Sequence, residues 1–238
     1  MKLDDFCYYP LLKTTDAELK AYSNLPLTVH DGTLPIFELT KSRRSKKNPT
    51  GRISNRLEQL QDLIGNRPFI LDLTTEPSLS NAEIRDLLNN TNDGFRAWRE
   101  FVAGLTNVIP VIHYNENASL ADTNKQVKEL EAQHKAVAFR ADAYDPDMMS
   151  YFGTILDALK RPERLITILD VGYVPVREWN DAVAPIKARI AEILKYKKLD
   201  YLVCMSSSFP KTVIAPGYGD DESGEFTLAE VEICKAAK

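Results

Sequence analysis

The chain predicts an α/β protein of the (β/α) barrel, or TIM, type. Short apolar runs alternate with amphipathic stretches from end to end, which is the pattern of repeated strand–helix units on a parallel sheet. A polar or charged residue closes nearly every apolar run, as in barrels whose strand ends form a site. Its 238 residues also fit one domain of this type, since such barrels run to about 250 residues. We therefore expect a single domain over residues 1–238.

The first run, Phe6 to Leu12, is followed by Thr15-Asp-Ala-Glu18, a capping box that opens a helix to about Leu25. Leu34 to Leu39 is the second strand. The next helix, Arg56 to Gly65, sets Leu57, Leu60 and Ile64 on one face and stops at glycine. Phe69 to Leu73 is the third strand. Ser80-Asn-Ala-Glu83 caps a short helix, and Phe95, Trp98, Phe101 and Val102 mark another. Val108 to His113 is the fourth strand, before a helix carrying Val127 and Leu130. Ala136 to Phe139 is the fifth, and Met148 to Leu159 its helix.

Leu165 to Val171 is the sixth strand. Val176, Trp179, Val183, Ile186, Ile190 and Ile193 then recur at spacings of three and four, as on a helix lying over a sheet; a coiled-coil seam reads similarly. Tyr201 to Met205 is the seventh strand, and Thr227-Leu-Ala-Glu230 caps a last helix through Lys238. Closure normally takes eight strands. Three readings fit the seven visible: a chain that stops before the eighth, an extra strand at Leu27 to His30, or an incompletely closed barrel.

Composition is that of a packed globular protein, 44 % hydrophobic and 27 % charged. A chain of this length can bury roughly 70 % of its unfolded surface without staples. Cys7, Cys204 and Cys234 are an odd, unclustered set. Cys7 and Cys204 lie in apolar runs and read as buried reduced thiols, which points to the cytoplasm and away from disulfides or zinc. The N-terminus is too short and acidic for a signal peptide, and no apolar run approaches about 18 residues. A net charge of −4 gives no general reason to expect nucleic acid or membrane.

The candidate site is the set of strand-end residues Lys13, Glu38, Asp72, His113, Arg140 and Asp170, with Ser206, Ser207 and Ser208 after the seventh strand. Charges beside apolar strands cost several kcal/mol unless paired or functional. Glu38, Asp72 and Asp170 could gather a hard cation such as Mg²⁺, or work as general acid and base. Lys13 and Arg140 suit an anionic or phosphorylated substrate, with the serines where many barrels hold phosphate. His113 is the natural proton-transfer group near neutral pH. The bland readings stand beside these: an ion-pair network, a hydrogen-bonded strand-end histidine, and a serine turn before Pro210.

Lys41 to Lys47 (KSRRSKK) is the one dense basic run. It reads as a solvated loop, or as a mobile positive lid for phosphates or a nucleic-acid backbone; lacking interleaved aromatics, it has no support for base stacking. Gly219 to Glu225 (GDDESGE) reads as an exposed turn without calcium-loop spacing.

Several short motifs resemble the opening of the phage and bacterial "beta protein" family. These are Tyr9-Pro10-Leu-Leu-Lys13 with Glu18-Leu-Lys-Ala, Leu34-Pro35-Ile-Phe-Glu38, and Ile70-Leu-Asp72. Pro110-Val-Ile, Phe139-Arg140 and Ile168-Leu-Asp170 continue the likeness over most of the chain. The resemblance implies a barrel, a phage or mobile-element setting, and site residues at Lys13, Glu38, Asp72, Arg140 and Asp170. It also implies a further strand-like segment after the last helix, and it implies no particular reaction. Two function classes follow: an enzyme acting on a small anionic substrate, with or without Mg²⁺, or a factor of phage–host conflict that sequesters a ligand or docks a protein partner.

Overall fold

A computed structural model describes residues 3–196, 199–208 and 228–237. Among the described residues seven strands alternate with helices, and neighbouring strands pair in parallel. They form a four-stranded sheet in the order β1-β2-β3-β4 and a three-stranded sheet in the order β5-β6-β7. The α/β class and the parallel sheets are as the sequence predicts. Among the described residues neither sheet closes on itself. The chain divides into two compact units, Met1–Ala138 with Thr154–Arg164, and Phe139–Gly153 with Leu165–Lys238.

In the first unit, β1 (Leu11–Lys13) pairs with β2 (Ile36–Leu39), β2 with β3 (Phe69–Leu73), and β3 with β4 (Val108–Pro110). Every residue of β2 and β3 is buried, as expected of central parallel strands covered on both faces. The register aligns Lys13 with Glu38 and Glu38 with Asp72, so these three side chains share one face of the sheet. The opposite face carries Phe37 and Phe69, whose rings meet edge to face at 6.3 Å. Tyr22, from helix α1 (Asp16–Ser23), meets Phe37 at 5.5 Å, so α1 covers that apolar face and leaves the charged row on the other.

Thr15 caps α1 by accepting from the Glu18 amide at 3.4 Å. The Glu18 carboxylate takes the Lys13 amide at 2.6 Å, tying the helix start to the end of β1. Leu27 to His30 is no strand: it forms α2 (Leu27–Asp31), which Pro26 introduces with its fixed φ. There His30 packs on Tyr22 at 4.5 Å.

Helix α3 (Ser54–Ile64) ends at Gly65, whose φ of +59° suits glycine. The α4 helix (Ala82–Asn89) is capped by Asn81, which accepts from the Ile84 amide at 3.0 Å. The expected box at Ser80 is thus displaced by one residue, and Glu83 instead accepts from the Ile53 amide at 3.1 Å.

Helix α5 (Asn92–Ala103) begins with three left-handed residues, Asp93, Gly94 and Phe95, at φ of 53°, 71° and 52°. Conformations of this kind cost about 1–2 kcal/mol per non-glycine residue. The buried Arg99 side chain holds the turn by donating to the carbonyls of Gly94 (2.6 Å) and Asp93 (2.5 Å). From α6 (Leu120–Gln133), Asp122 accepts from the Gly94 amide at 3.0 Å. Past β4, Val111 makes an isolated parallel bridge to Ala138.

Strand β5 is Val137–Asp142 and helix α7 is Met148–Ala158. In the second unit, β6 (Leu165–Tyr173) pairs with β7 (Tyr201–Ser207), with a register shift between Asp170 and Tyr173. Gly172 lies in that shift at φ +70°. Helix α8 (Trp179–Tyr196) packs on β6 and on α9 (Ala229–Ala237). Ala182 and Ile186 join Val171, Val174 and Ile233 in one apolar cluster, with Trp179 and Ile190 at its margin. That is a helix laid on a sheet, as its spacing predicts.

The cysteines are free but exposed, which corrects the burial expected of Cys7 and Cys204. Each lies at a sheet edge, Cys7 ahead of β1 and Cys204 on β7, where one flank has no covering strand among the described residues. Pro210, the acidic turn Gly219 to Glu225, Thr227 and Lys238 lie outside the described residues.

Candidate functional site

The sequence-predicted residues fall into two groups, one in each unit. In the first, Lys13 is the last residue of β1, and Glu38 and Asp72 each stand one residue before the end of their strands. Lys13 Nζ lies 3.9 Å from Glu38 Oε2; over a third of the lysine side chain is exposed, whereas the glutamate is buried. Asp72 is buried too, its Oδ1 accepting from the Leu73 amide at 2.8 Å.

His113 lies beyond β4, in the chain that leaves the sheet. Its imidazole is 5 % exposed and stacks on the Trp98 ring, centroids 4.5 Å apart. Nε2 lies 3.4 Å from Asp72 Oδ1. Among the described residues neither ring nitrogen has a hydrogen-bond partner, so the contact with Asp72 is close but not aligned as a hydrogen bond. A histidine beside a carboxylate is a pairing of residue types that acid–base sites use.

Four residues outside the predicted set complete this group. Gln126 of α6, fully buried, accepts from the His113 amide at 2.8 Å and donates to the His113 carbonyl at 2.7 Å. Trp98 of α5 supports the ring and anchors itself by donating to the Val111 carbonyl at 2.9 Å. Thr40 and Thr74, both buried, are the first residues after β2 and β3. Thr40 Oγ1 lies 3.1 Å from Thr14 Oγ1, and Thr74 Oγ1 accepts from the Glu76 amide at 3.2 Å. The repeated acidic-Leu-Thr triplets at Glu38 and Asp72 are the sequence signal for these threonines. Gln126 carries a weaker one, a polar residue on the helical face that holds Thr123 and Leu130.

In the second unit, Arg140 stands inside β5 rather than beyond it, and Asp170 inside β6. Arg140 donates from Nε (3.0 Å) and Nη2 (2.5 Å) to one oxygen, Asp170 Oδ2, while Oδ1 accepts from the Gly172 amide at 2.8 Å. Both side chains are more than four-fifths buried. Each oxygen of the Asp170 carboxylate is thus engaged. Ser206 and Ser207 belong to β7 itself. Ser208, buried, donates from its hydroxyl to Glu230 and accepts from the Ala229 amide at 3.1 Å, which fastens β7 to the first turn of α9.

Among the described residues no group of three or more His, Cys, Asp or Glu side chains that could hold a metal ion is found. The basic loop from Lys41 to Lys47 is folded by its backbone: the Ser42 amide donates to the Gly51 carbonyl at 3.1 Å, and Ser45 and Asn48 bridge each other. No helix among them is long and apolar enough to cross a membrane.

Fold and side chains define a parallel α/β protein with a charged, largely buried row on one sheet face. The chain belongs to the Beta protein family, whose model matches residues 8–238. It is 30 % identical over 230 residues to "Protein beta" of Enterobacteria phage P4. The match takes in 97 % of this chain and 62 % of the phage protein, so the chain spans less than two thirds of that relative's length.

Proposed function

We propose that this phage-associated family member is an enzyme that transfers protons on a small substrate, with His113 and Asp72 as its acid–base pair. The supporting observation is the buried His113 imidazole, without a hydrogen-bond partner at either nitrogen among the described residues and 3.4 Å from the Asp72 carboxylate. Glu38 supplies a second carboxylate on the same sheet face, and Lys13 balances part of the charge. The fold proposed is a (β/α) barrel, supported by parallel strands each followed by helix, and the compartment proposed is the cytoplasm. An anionic substrate is the weaker half of this reading, because Lys13 and Arg140 each already face a carboxylate. We read the Arg140–Asp170 pair as structural.

The alternative is a factor that binds a small ligand without turning it over, or that docks a protein partner. The ion pairs favour it, since paired charges can be purely structural. A thermal-shift screen of the purified chain separates the two, run with Mg²⁺ and other divalent cations, nucleotides, sugars, sugar phosphates and small carboxylates. A ligand at about 100 times its dissociation constant adds roughly 2.7 kcal/mol of stability. The enzyme reading expects a hit that Asp72→Asn abolishes and that is chemically altered on incubation, an alteration His113→Gln prevents. A hit recovered unchanged supports sequestration. A panel with no hit in it removes the small-substrate reading.

A further inference from the structure

We propose that the loop after β2 is a docking surface for double-stranded nucleic acid, held through its phosphate backbone and without base readout. Arg43, Arg44, Lys46, Lys47 and Arg52 are all exposed there, and Lys41 is half-buried beside them. Among the described residues no ion pair engages any of the six. Two neighbouring carboxylates are turned elsewhere. Asp16, which feels the Arg43 charge, takes Arg56, and Glu83 accepts from the Ile53 amide at 3.1 Å. The loop is folded by its own hydrogen bonds. The Ser42 hydroxyl donates to the Arg52 carbonyl at 2.6 Å, and Asn48 Oδ1 accepts from the Arg52 amide at 2.9 Å. Asn81 donates to the Gly51 carbonyl at 2.9 Å. Gly51 closes the base of the loop at φ +67°, where a Cβ would meet the Ser42 carbonyl oxygen at 2.6 Å. The cations are thus presented from one pinned turn, which leaves less ordering to be done on binding.

Like charges held together without partners repel one another, and an external polyanion relieves that repulsion. The chain as a whole does not supply the attraction, since 30 Lys and Arg stand against 34 Asp and Glu; binding has to come from this loop. Duplex DNA carries one negative charge per about 1.7 Å of its axis, so one loop meets several phosphates at once. Arginine binds phosphate through two parallel donors, and the exposed Ser45 and Thr50 hydroxyls add neutral donors of the kind that contact phosphate oxygens. From Lys41 to Asn48 there is no apolar side chain to enter a bilayer and no ring on which a single-stranded base stacks. The backbone of a duplex is the partner this chemistry fits.

The test follows binding of the full chain to a fluorescently labelled DNA duplex, by anisotropy, over a series of KCl concentrations. The expected dissociation constant is about 1–100 µM at roughly 50 mM KCl, weakening with a log–log salt slope of about −4 to −5. Combining Arg43→Gln, Arg44→Gln, Lys46→Gln and Lys47→Gln should weaken binding about tenfold or more and flatten the slope by about 3–4. Combining Lys128→Gln with Lys135→Gln, exposed lysines far from the loop in sequence, should leave the affinity within about twofold. The proposal is overturned if about 100 µM chain leaves the duplex unbound, if binding ignores salt, or if the folded fourfold variant binds as tightly. It is equally overturned if single-stranded DNA of the same length, polyglutamate or phosphatidylglycerol vesicles bind more tightly than the duplex. The salt slope and these comparisons use the unsubstituted chain, so they decide even if the fourfold variant fails to fold.

Discussion

The Nε2 of His113 lies 3.4 Å from Oδ1 of Asp72, and both side chains are at least nine-tenths buried. Asp72→Asn removes the carboxylate charge without emptying the space it fills. It should therefore move the ¹⁵N signals of the His113 ring at constant pH. Signals that stay where they were would remove Asp72 from the role assigned to it. Asp72→Ala leaves a cavity and an unsupported Leu73 amide as well, and should cost about 2–4 kcal/mol in urea unfolding.

Gln126 gives a second prediction, about position rather than charge. Its side-chain amide satisfies both backbone groups of His113, and the isosteric Gln126→Leu strands a buried N–H and a buried C=O together. Each unsatisfied group costs about 1–3 kcal/mol, so a loss of about 3 kcal/mol is expected. Gln126→Glu still accepts from the amide but, when ionised, cannot donate to the carbonyl, and should be unstable even though it keeps the shape. Urea unfolding of the two variants checks this, with the His113 ring shift as the positional readout. An unchanged ring shift in a folded Gln126→Leu protein would show that the clamp does not place the imidazole.

Much of this arrangement is legible in the sequence, and the rest is hidden for identifiable reasons. FELT and LDLT mark the charged row because a carboxylate inside an otherwise apolar parallel strand stands out. Thr15 caps its helix as read, whereas Ser80 loses the cap to Asn81, an equally good capping residue one position on. Leu27 to His30 is too short for apolar character alone to separate strand from helix, and tertiary packing of His30 on Tyr22 decides it. Cys7 and Cys204 sit in apolar runs, but at sheet edges, and edges cannot be read from a run. The partners of His113 come from α5 and α6, thirteen or more residues away, where no local pattern announces them.

Arg140 and Asp170 provide a prediction for the second unit. With two donors on one oxygen and the other oxygen held by Gly172, truncating either partner breaks a charge-assisted, largely buried pair. Arg140→Ala and Asp170→Ala should each cost about 3 kcal/mol, and the double variant should cost clearly less than their sum, with a coupling of about 1–3 kcal/mol. Thermal or urea unfolding of the four proteins measures it. Additive losses would mean that the pair contributes nothing as a pair and that its charges are retained for another purpose.

The pH dependence of stability rests on His30 and His134, both held below the ordinary histidine value, chiefly by burial; for His30 the nearby Arg67 charge adds to it. Among the described residues His30 Nδ1 and His134 Nε2 are buried without hydrogen-bond partners, so a proton added there would strand a donor. The sign follows from the depressed folded values. Below about pH 6.5 the unfolded chain binds protons that the folded chain does not, so stability falls as pH drops through that point. Asp16 and Asp122, lowered by hydrogen bonds from Arg56 and Ser119 respectively, add to the loss only below about pH 4. The urea midpoint should therefore decline between pH 7.5 and pH 5, ahead of any carboxylate effect. His30→Gln should flatten that decline, because a glutamine does not titrate, even if the variant starts from a lower plateau. A decline of unchanged steepness in His30→Gln would move the whole effect to His134.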